Sequence, residues 1–166
     1  MHSDDHPAVL IRQMLRADEA DVSKLVSAVE NFNRAEIDCA LELIDIYLEN
    51  KNQTDYHITV AEDAASKMQG YACWGPVPMT KGAFDLYWIA THPGARGCGF
   101  GRALMTHVEQ EVIKRNGRLL VVETSSKSSY ERTVKFYRSI GYEETSRIKN
   151  FYDIGDDKLI FVKRLS

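Results

Sequence analysis

Three glycines spaced by two, in Arg96-Gly97-Cys98-Gly99-Phe100-Gly101-Arg102, separate a stretch dense in β-formers, Phe84 to Thr91, from a run in which Leu104, Val108 and Val112 recur at helical spacing. Pro93-Gly94 stops the strand, so the segment reads as strand, glycine turn and helix start. A helix N-terminus offers unpaired N–H groups and the positive end of the macrodipole. Glycines just ahead of it let phosphate oxygens approach the main chain with no Cβ in the way. The chemistry this stretch can do is therefore anion binding. Gly101-Arg102-Ala103 stands where a nucleoside triphosphate loop needs Gly-Lys-Ser/Thr, which leaves no hydroxyl for a magnesium ion. A dinucleotide fingerprint needs G-x-G-x-x-G, and Arg102 fills its last place, so an NAD-dependent oxidoreductase is a disfavoured rival.

Two carboxylates lie in apolar strand sequence, Asp85 near the start of Ala83 to Thr91 and Glu123 at the end of Arg118-Leu119-Leu120-Val121-Val122-Glu123. Burying a carboxylate costs free energy unless it is paired, and it raises the pKa toward the range of a general base. Each is a candidate base, with an ion pair or a solvated strand end as the structural alternative. His92, ahead of Pro93, reads as a turn residue, and no His/Cys/Asp/Glu cluster has metal-ligand spacing.

The loop Arg96 to Gly101 fits the pattern Gln/Arg-x-x-Gly-x-Gly/Ala. Together with Phe136-Tyr137-Arg138-Ser139-Ile140-Gly141-Tyr142 it resembles the GNAT superfamily of acyl-CoA N-acyltransferases, over the segment from Phe84 to Tyr142. The resemblance implies an acetyl-CoA-dependent N-acetyltransferase acting on a primary amine by direct transfer in a ternary complex. A non-catalytic acyl-CoA-binding module is the alternative. It also implies that backbone amides of Arg96, Gly97, Cys98, Gly99, Phe100, Gly101 and Arg102 hold the pyrophosphate of coenzyme A, and that pantetheine lies between splayed fourth and fifth strands. A main-chain N–H at Ile89 or Ala90 would then polarise the thioester, with Thr91 beside them in the cofactor set.

Asp85 stands where some family members carry a catalytic glutamate; the shorter side chain would work through a water. Tyr137 resembles the tyrosine beside the coenzyme A sulfur, and a phenol of pKa near ~10 is protonated at neutral pH and can donate to a forming thiolate. Tyr130 stands where an asparagine often touches pantetheine, and Thr133 where alanine is usual. Cys98 reads as a small loop residue rather than an acyl carrier. Lys127 and Arg132 could meet phosphates or lie on a solvated face. Asp153, Asp156 and Asp157, with Phe151 and Tyr152, could line an acceptor side or serve as turn residues. The resemblance leaves room for a homodimer.

Positioning these groups falls to an α/β (α+β) domain spanning residues 1–166, for which the resemblance implies a mixed, mostly antiparallel seven-stranded sheet, helices on both faces and splayed parallel central strands. A strand over Val9 to Leu15 leads to a helix capped by Asp18 with Val22, Leu25, Val26 and Val29 on one face. Asn33 and Glu36 form a capping box for a second helix with the stripe Ile37, Leu41, Ile44 and Leu48. Tyr56 to Ala61 and Gly70 to Trp74 read as an antiparallel pair. The glycine-loop helix ends at Asn116-Gly117, and Arg118 to Glu123 follows as a strand parallel to Ala83–Thr91. A short helix carries Val134, Tyr137 and Ile140 and ends at Gly141. Tyr142 to Ile148 and Lys158 to Lys163 form a last pair around a loop from Asn150 to Asp157.

The 166 residues, 44% hydrophobic, suffice for one core. With net charge −3 and interspersed signs, no basic stripe for nucleic acid exists. Cys39, Cys73 and Cys98 form no C-x-x-C pair, as expected of reduced thiols in a cytoplasmic protein. No apolar run approaches the ~18 residues of a membrane span, and the polar N-terminus is unlike a signal peptide.

Overall fold

A computed structural model describes residues 9–165. Seven strands form one mixed sheet in the order β1-β2-β3-β4-β5-β7-β6, where β1 is Leu10–Gln13, β2 His57–Glu62, β3 Met68–Pro76, β4 Ala83–Thr91, β5 Leu119–Ser125, β6 Glu143–Asp153 and β7 Asp156–Arg164. Four helices join them: α1 (Glu19–Ser27), α2 (Arg34–Glu49), α3 (Phe100–Lys114) and α4 (Glu131–Ser139). The chain divides into two compact units. One takes the residues up to Trp74 with Trp88–Val108, and the other takes Gly75–Tyr87 with Glu109 onward.

In the first unit, β1 and β3 flank β2, both antiparallel to it. Asp63 closes the β2–β3 turn by accepting the N–H groups of Ala65 and Lys67, at 2.9 and 3.0 Å. That shortens the turn and carries the strands further inward than Ala61 and Gly70, the ends expected from the sequence. Gly70 faces α3, where an added Cβ would stand 3.0 Å from the Leu104 side chain. The α2 box forms as expected: Asn33 Oδ1 accepts the Glu36 N–H at 2.9 Å, and Glu36 accepts the Asn33 N–H at 2.7 Å. Its fully buried positions are Ala40, Ile44 and Leu48, so the stripe runs through Ala40, while Ile37 and Leu41 are half-buried.

Asp18 does not cap α1. Its carboxylate holds the Arg12 guanidinium in a two-point fork at 2.7 and 2.8 Å and accepts the Leu15 N–H at 2.7 Å, with Glu62 on the same guanidinium. A bidentate charged pair is a stronger partner than one helix amide, and Arg12 takes the side chain first.

In the second unit, β4 and β5 pair in parallel from Ala83↔Leu119 to Leu86↔Val122, and β5 and β7 run antiparallel from Leu119↔Arg164 to Ser125↔Lys158. Side chains alternate between faces and register partners share a face. Phe84, Leu86, Leu120, Val122, Thr124, Leu159 and Phe161 therefore point one way, and all are buried. Asp85, Val121, Glu123, Lys158, Ile160 and Val162 point the other way and are half-buried or exposed.

Two helix ends are built alike. Tyr142 N–H reaches Tyr137 C=O and Gly141 N–H reaches Arg138 C=O, with Gly141 at φ +88°; at the end of α3, Gly117 and Asn116 bond Val112 and Ile113, with Asn116 at φ +59°. These paired bonds satisfy the last carbonyls of each helix. A Cβ on Gly117 would lie 2.2 Å from Val112 Cγ1, so only glycine fits.

The last hairpin departs from the sequence reading. Strands run through what was expected to be a loop, and the turn is only Ile154-Gly155, with Gly155 at φ +80°. Asn150 rigidifies this end by donating its N–H to Asp157 and accepting the Gly155 N–H through its side chain, at 2.9 and 2.8 Å.

Candidate functional site

The glycine loop lies in the first unit. A turn over Pro93–Ala95 opens it, with His92 Nδ1 accepting the Gly94 N–H at 3.2 Å, the turn role expected of that histidine. Gly97 and Gly99 take φ +80° and +87°, a region where L-residues pay a penalty, and a Cβ at either would meet nothing within 4 Å. Within the loop, Arg96 N–H reaches Pro93 C=O at 3.4 Å and Cys98 N–H reaches Ala95 C=O at 3.2 Å. Among the described residues, the N–H groups of Gly97, Gly99, Phe100, Gly101 and Arg102 find no acceptor in the protein. Open space over left-handed glycines and unspent amides at the start of a fifteen-residue helix make a fit for a phosphate-bearing ligand. Phe100 is buried and anchors the helix, Cys98 and Arg102 are exposed, and Arg96 is engaged by Glu30 at 3.3 Å. Of the preceding residues, Ala90 is buried and Ile89 and Thr91 are half-buried.

The candidate acid and base groups Asp85, Glu123 and Tyr137 lie in the second unit. Asp85 is half-buried, and its pKa is raised above the ordinary carboxylate value, chiefly by burial and then by the Glu123 charge, with Lys158 pulling the other way. Glu123 is ion-paired with Lys158. The structure thus brings Asp85 and Glu123 together on one face but gives them different states, one desolvated and one paired.

Tyr137 is buried on the opposite face, its ring 6.0 Å from Phe161, 5.8 Å from Tyr142 and 5.6 Å from Phe136. Burial pushes its pKa up, so the phenol keeps its proton at any physiological pH. Tyr130 is half-buried and ends the turn before α4.

Several candidates are occupied elsewhere. Lys127 pairs with Asp156 at 3.4 Å, and Asp156 is buried beneath the Ser125 hydroxyl, which donates to it. Asp157 takes the Asn150 N–H and Arg147. Phe151 and Tyr152 stack edge to face at 5.0 Å and are exposed, as is Arg132. Sequence reasoning passed over Lys158, whose ammonium lies 4.5 Å from the Phe151 ring centre as well as on Glu123. Its signal was a cation opening the otherwise apolar run Leu159-Ile160-Phe161-Val162. No group of side chains able to hold a metal occurs among the described residues, and no helix there is long and apolar enough to cross a membrane.

Mixed sheet, parallel β4–β5 pair and a glycine turn with open amides at a helix N-terminus define an α/β protein of one recognisable class. Residues 54–144 match the acetyltransferase (GNAT) domain family, and the chain belongs to it. A protein from Desulfovibrio desulfuricans assigned to the GNAT family of acetyltransferases is 39% identical over 96% of this chain and 100% of that one, with a TM-score of 0.90. The ribosomal-protein-S18-alanine N-acetyltransferase of Escherichia coli shares the fold at 20% identity and TM-score 0.76, covering 96% and 95% of the two chains. YncA from Salmonella typhimurium, seen with its cofactor acetyl-CoA, does so at 19% identity and TM-score 0.72, covering 96% and 95%. Among curated proteins none matches the sequence.

Proposed function

We propose that the protein transfers the acetyl group of acetyl-CoA to a primary amine, directly and without an acyl-enzyme. The observation that carries this is the set of amides of Gly97, Gly99, Phe100, Gly101 and Arg102 left open at the start of α3, in a chain of this family. The diphosphate of coenzyme A suits them, since main-chain donors at a helix N-terminus match phosphate oxygens in charge and spacing. Glycine at 97 and 99 is what allows the approach. A main-chain N–H at Ile89 or Ala90 would polarise the thioester carbonyl, leaving Thr91 to line the cofactor beside it.

Asp85 is the base. Its raised pKa gives it the proton affinity to draw a proton from the acceptor's ammonium, through a water because the side chain is short. Glu123 is already engaged by Lys158. Tyr137 supplies the proton that the departing thiolate needs. The two groups stand on opposite faces of the β4–β5–β7 layer, which fits one proton leaving the amine and another reaching the sulfur.

The test is thiol release from acetyl-CoA across spermidine, kanamycin, lysine and an alanine-ended peptide, alongside thermal shift with coenzyme A. Turnover with at least one amine is expected. Stabilisation by coenzyme A with no turnover on any amine would instead mark a binding module, and no stabilisation would end the acyl-CoA reading.

A further inference from the structure

Lys158 shares the face of the proposed base and acts on it through its charge, and its placement is over-determined. On β7 it is the register partner of Ser125, one step along the face from Ile160, the partner of Glu123; this diagonal lets it reach the Glu123 carboxylate. Its ammonium also sits 4.5 Å from the centre of the Phe151 ring, which β6 lays over it, a favourable cation–π distance. The Lys158 side chain is only 15% exposed, while its partner Glu123 is 46% exposed. A surface lysine pays rotamer entropy to stay in one place, and here a carboxylate and an aromatic face share that work. Asp85 of β4 lies on the same face, two registers along from Glu123, so Glu123 from β5 and Lys158 from β7 are the charged groups that act on it.

We propose that Lys158 is a positioning residue for the proton transfer: clamped by Phe151, it fixes Glu123 as a paired anion and offsets the Glu123 charge felt by Asp85, so that Asp85 alone exchanges the acceptor's proton. This rests on the acetyltransferase reading of the same site. Without the lysine, two carboxylates on one face would repel, and they would share a proton between them rather than divide their tasks.

The test is a carbon-13 titration of the Asp85 and Glu123 side-chain carboxyls in the full chain, for the parent, Lys158→Met, Lys158→Arg and Phe151→Leu. Thiol release from acetyl-CoA is followed against pH with the most active amine of the panel. Lys158→Met is expected to move the Asp85 midpoint upward by about one pH unit, the scale of removing one neighbouring partly buried charge, and to couple it to Glu123. The acidic limb of kcat/KM should follow by the same amount. Lys158→Arg keeps the charge and should restore both, while Phe151→Leu, which only loosens the clamp, should move them partway.

If Lys158→Met fails to fold, the Phe151→Leu shift, set against parent-like values in Lys158→Arg, decides the matter. An unmoved Asp85 midpoint in the folded variants overturns the role of Lys158 and leaves the acetyltransferase reading intact. A midpoint that moves while the rate profile stays still overturns it as well, because Lys158 then tunes a group that is not the base.

Discussion

Replacing Gly99 by alanine separates the two demands made on the glycine loop. At φ +87° an alanine carries a left-handed penalty of about 1–2 kcal/mol, yet its Cβ would meet nothing within 4 Å, so no clash is added. A loop with that much room relaxes locally to negative φ, and the penalty then falls on ligand binding, which needs the amides aimed outward again. Converted at 1.4 kcal/mol per decade, coenzyme A should bind about 5- to 30-fold more weakly, read by titration calorimetry. Thermal stability without ligand should change little. Gly117→Ala is the contrasting case: its Cβ would lie 2.2 Å from Val112 Cγ1 and 2.7 Å from the Val112 oxygen, so the melting temperature falls while the folded fraction binds coenzyme A as before. Equal affinity in Gly99→Ala and the parent would refute the claim that these amides grip the diphosphate.

Tyr137→Phe keeps the ring against Phe136, Tyr142 and Phe161, so it should melt within about 2–4 °C of the parent while kcat falls by roughly 10²-fold or more, measured as thiol release. Asp85→Asn should abolish the rise of kcat/KM with pH. Because the folded Asp85 holds its proton more tightly than the unfolded chain does, the parent loses stability as pH climbs from the ordinary carboxylate range through the raised value; the amide escapes that loss. Chemical denaturation should therefore find Asp85→Asn the more stable at pH 7 and the two equal at pH 3. Asn33→Ala removes the α2 cap and should lower stability by about 1 kcal/mol, or about 2–4 °C in melting temperature, with coenzyme A affinity unchanged.

What the sequence made legible was governed by local rules. Gly97, Gly99 and Gly141 could be placed because glycine punctuates helix starts and ends, and all three take the left-handed backbone that suits it; Asn33 with Glu36 could be placed because a capping box needs only residues three apart. Where two local signals competed, sequence alone could not rank them. Asp18 looked like a cap, but Arg12, six residues away, offered a better partner. The stretch from Asn150 to Asp157 reads as turn chemistry, yet Asn150 and Asp157 bond each other across a hairpin and keep the strands going to Ile154-Gly155. The Asp85–Glu123–Lys158 cluster was half visible: the two carboxylates announced themselves by sitting in apolar strands, whereas a cation opening the run Leu159 to Val162 does not say which groups it meets, because Lys158 joins them only through the β5–β7 register.

That register is also what divides the labour of the site. With a period of two, one step of slip between β5 and β7 would swap Lys158 for Leu159 on the face of Glu123 and send Phe161 away from Tyr137. Ser125, Ser126 and the Asp156-Asp157 pair resist such a slip. The Ser125 hydroxyl donates to buried Asp156, the Asp157 N–H donates to the Ser126 hydroxyl at 2.8 Å, and the Ser126 N–H donates to the Asp157 carbonyl at 2.9 Å. Buried polar groups of this kind are costly to leave unpaired, so each bond penalises the shifted pairing more than it rewards the native one. Asp156 and Asp157, which the sequence offers as acceptor lining or as turn residues, thus hold two strands in the one alignment that sets the half-buried Asp85 carboxylate on one side and the buried Tyr137 phenol on the other.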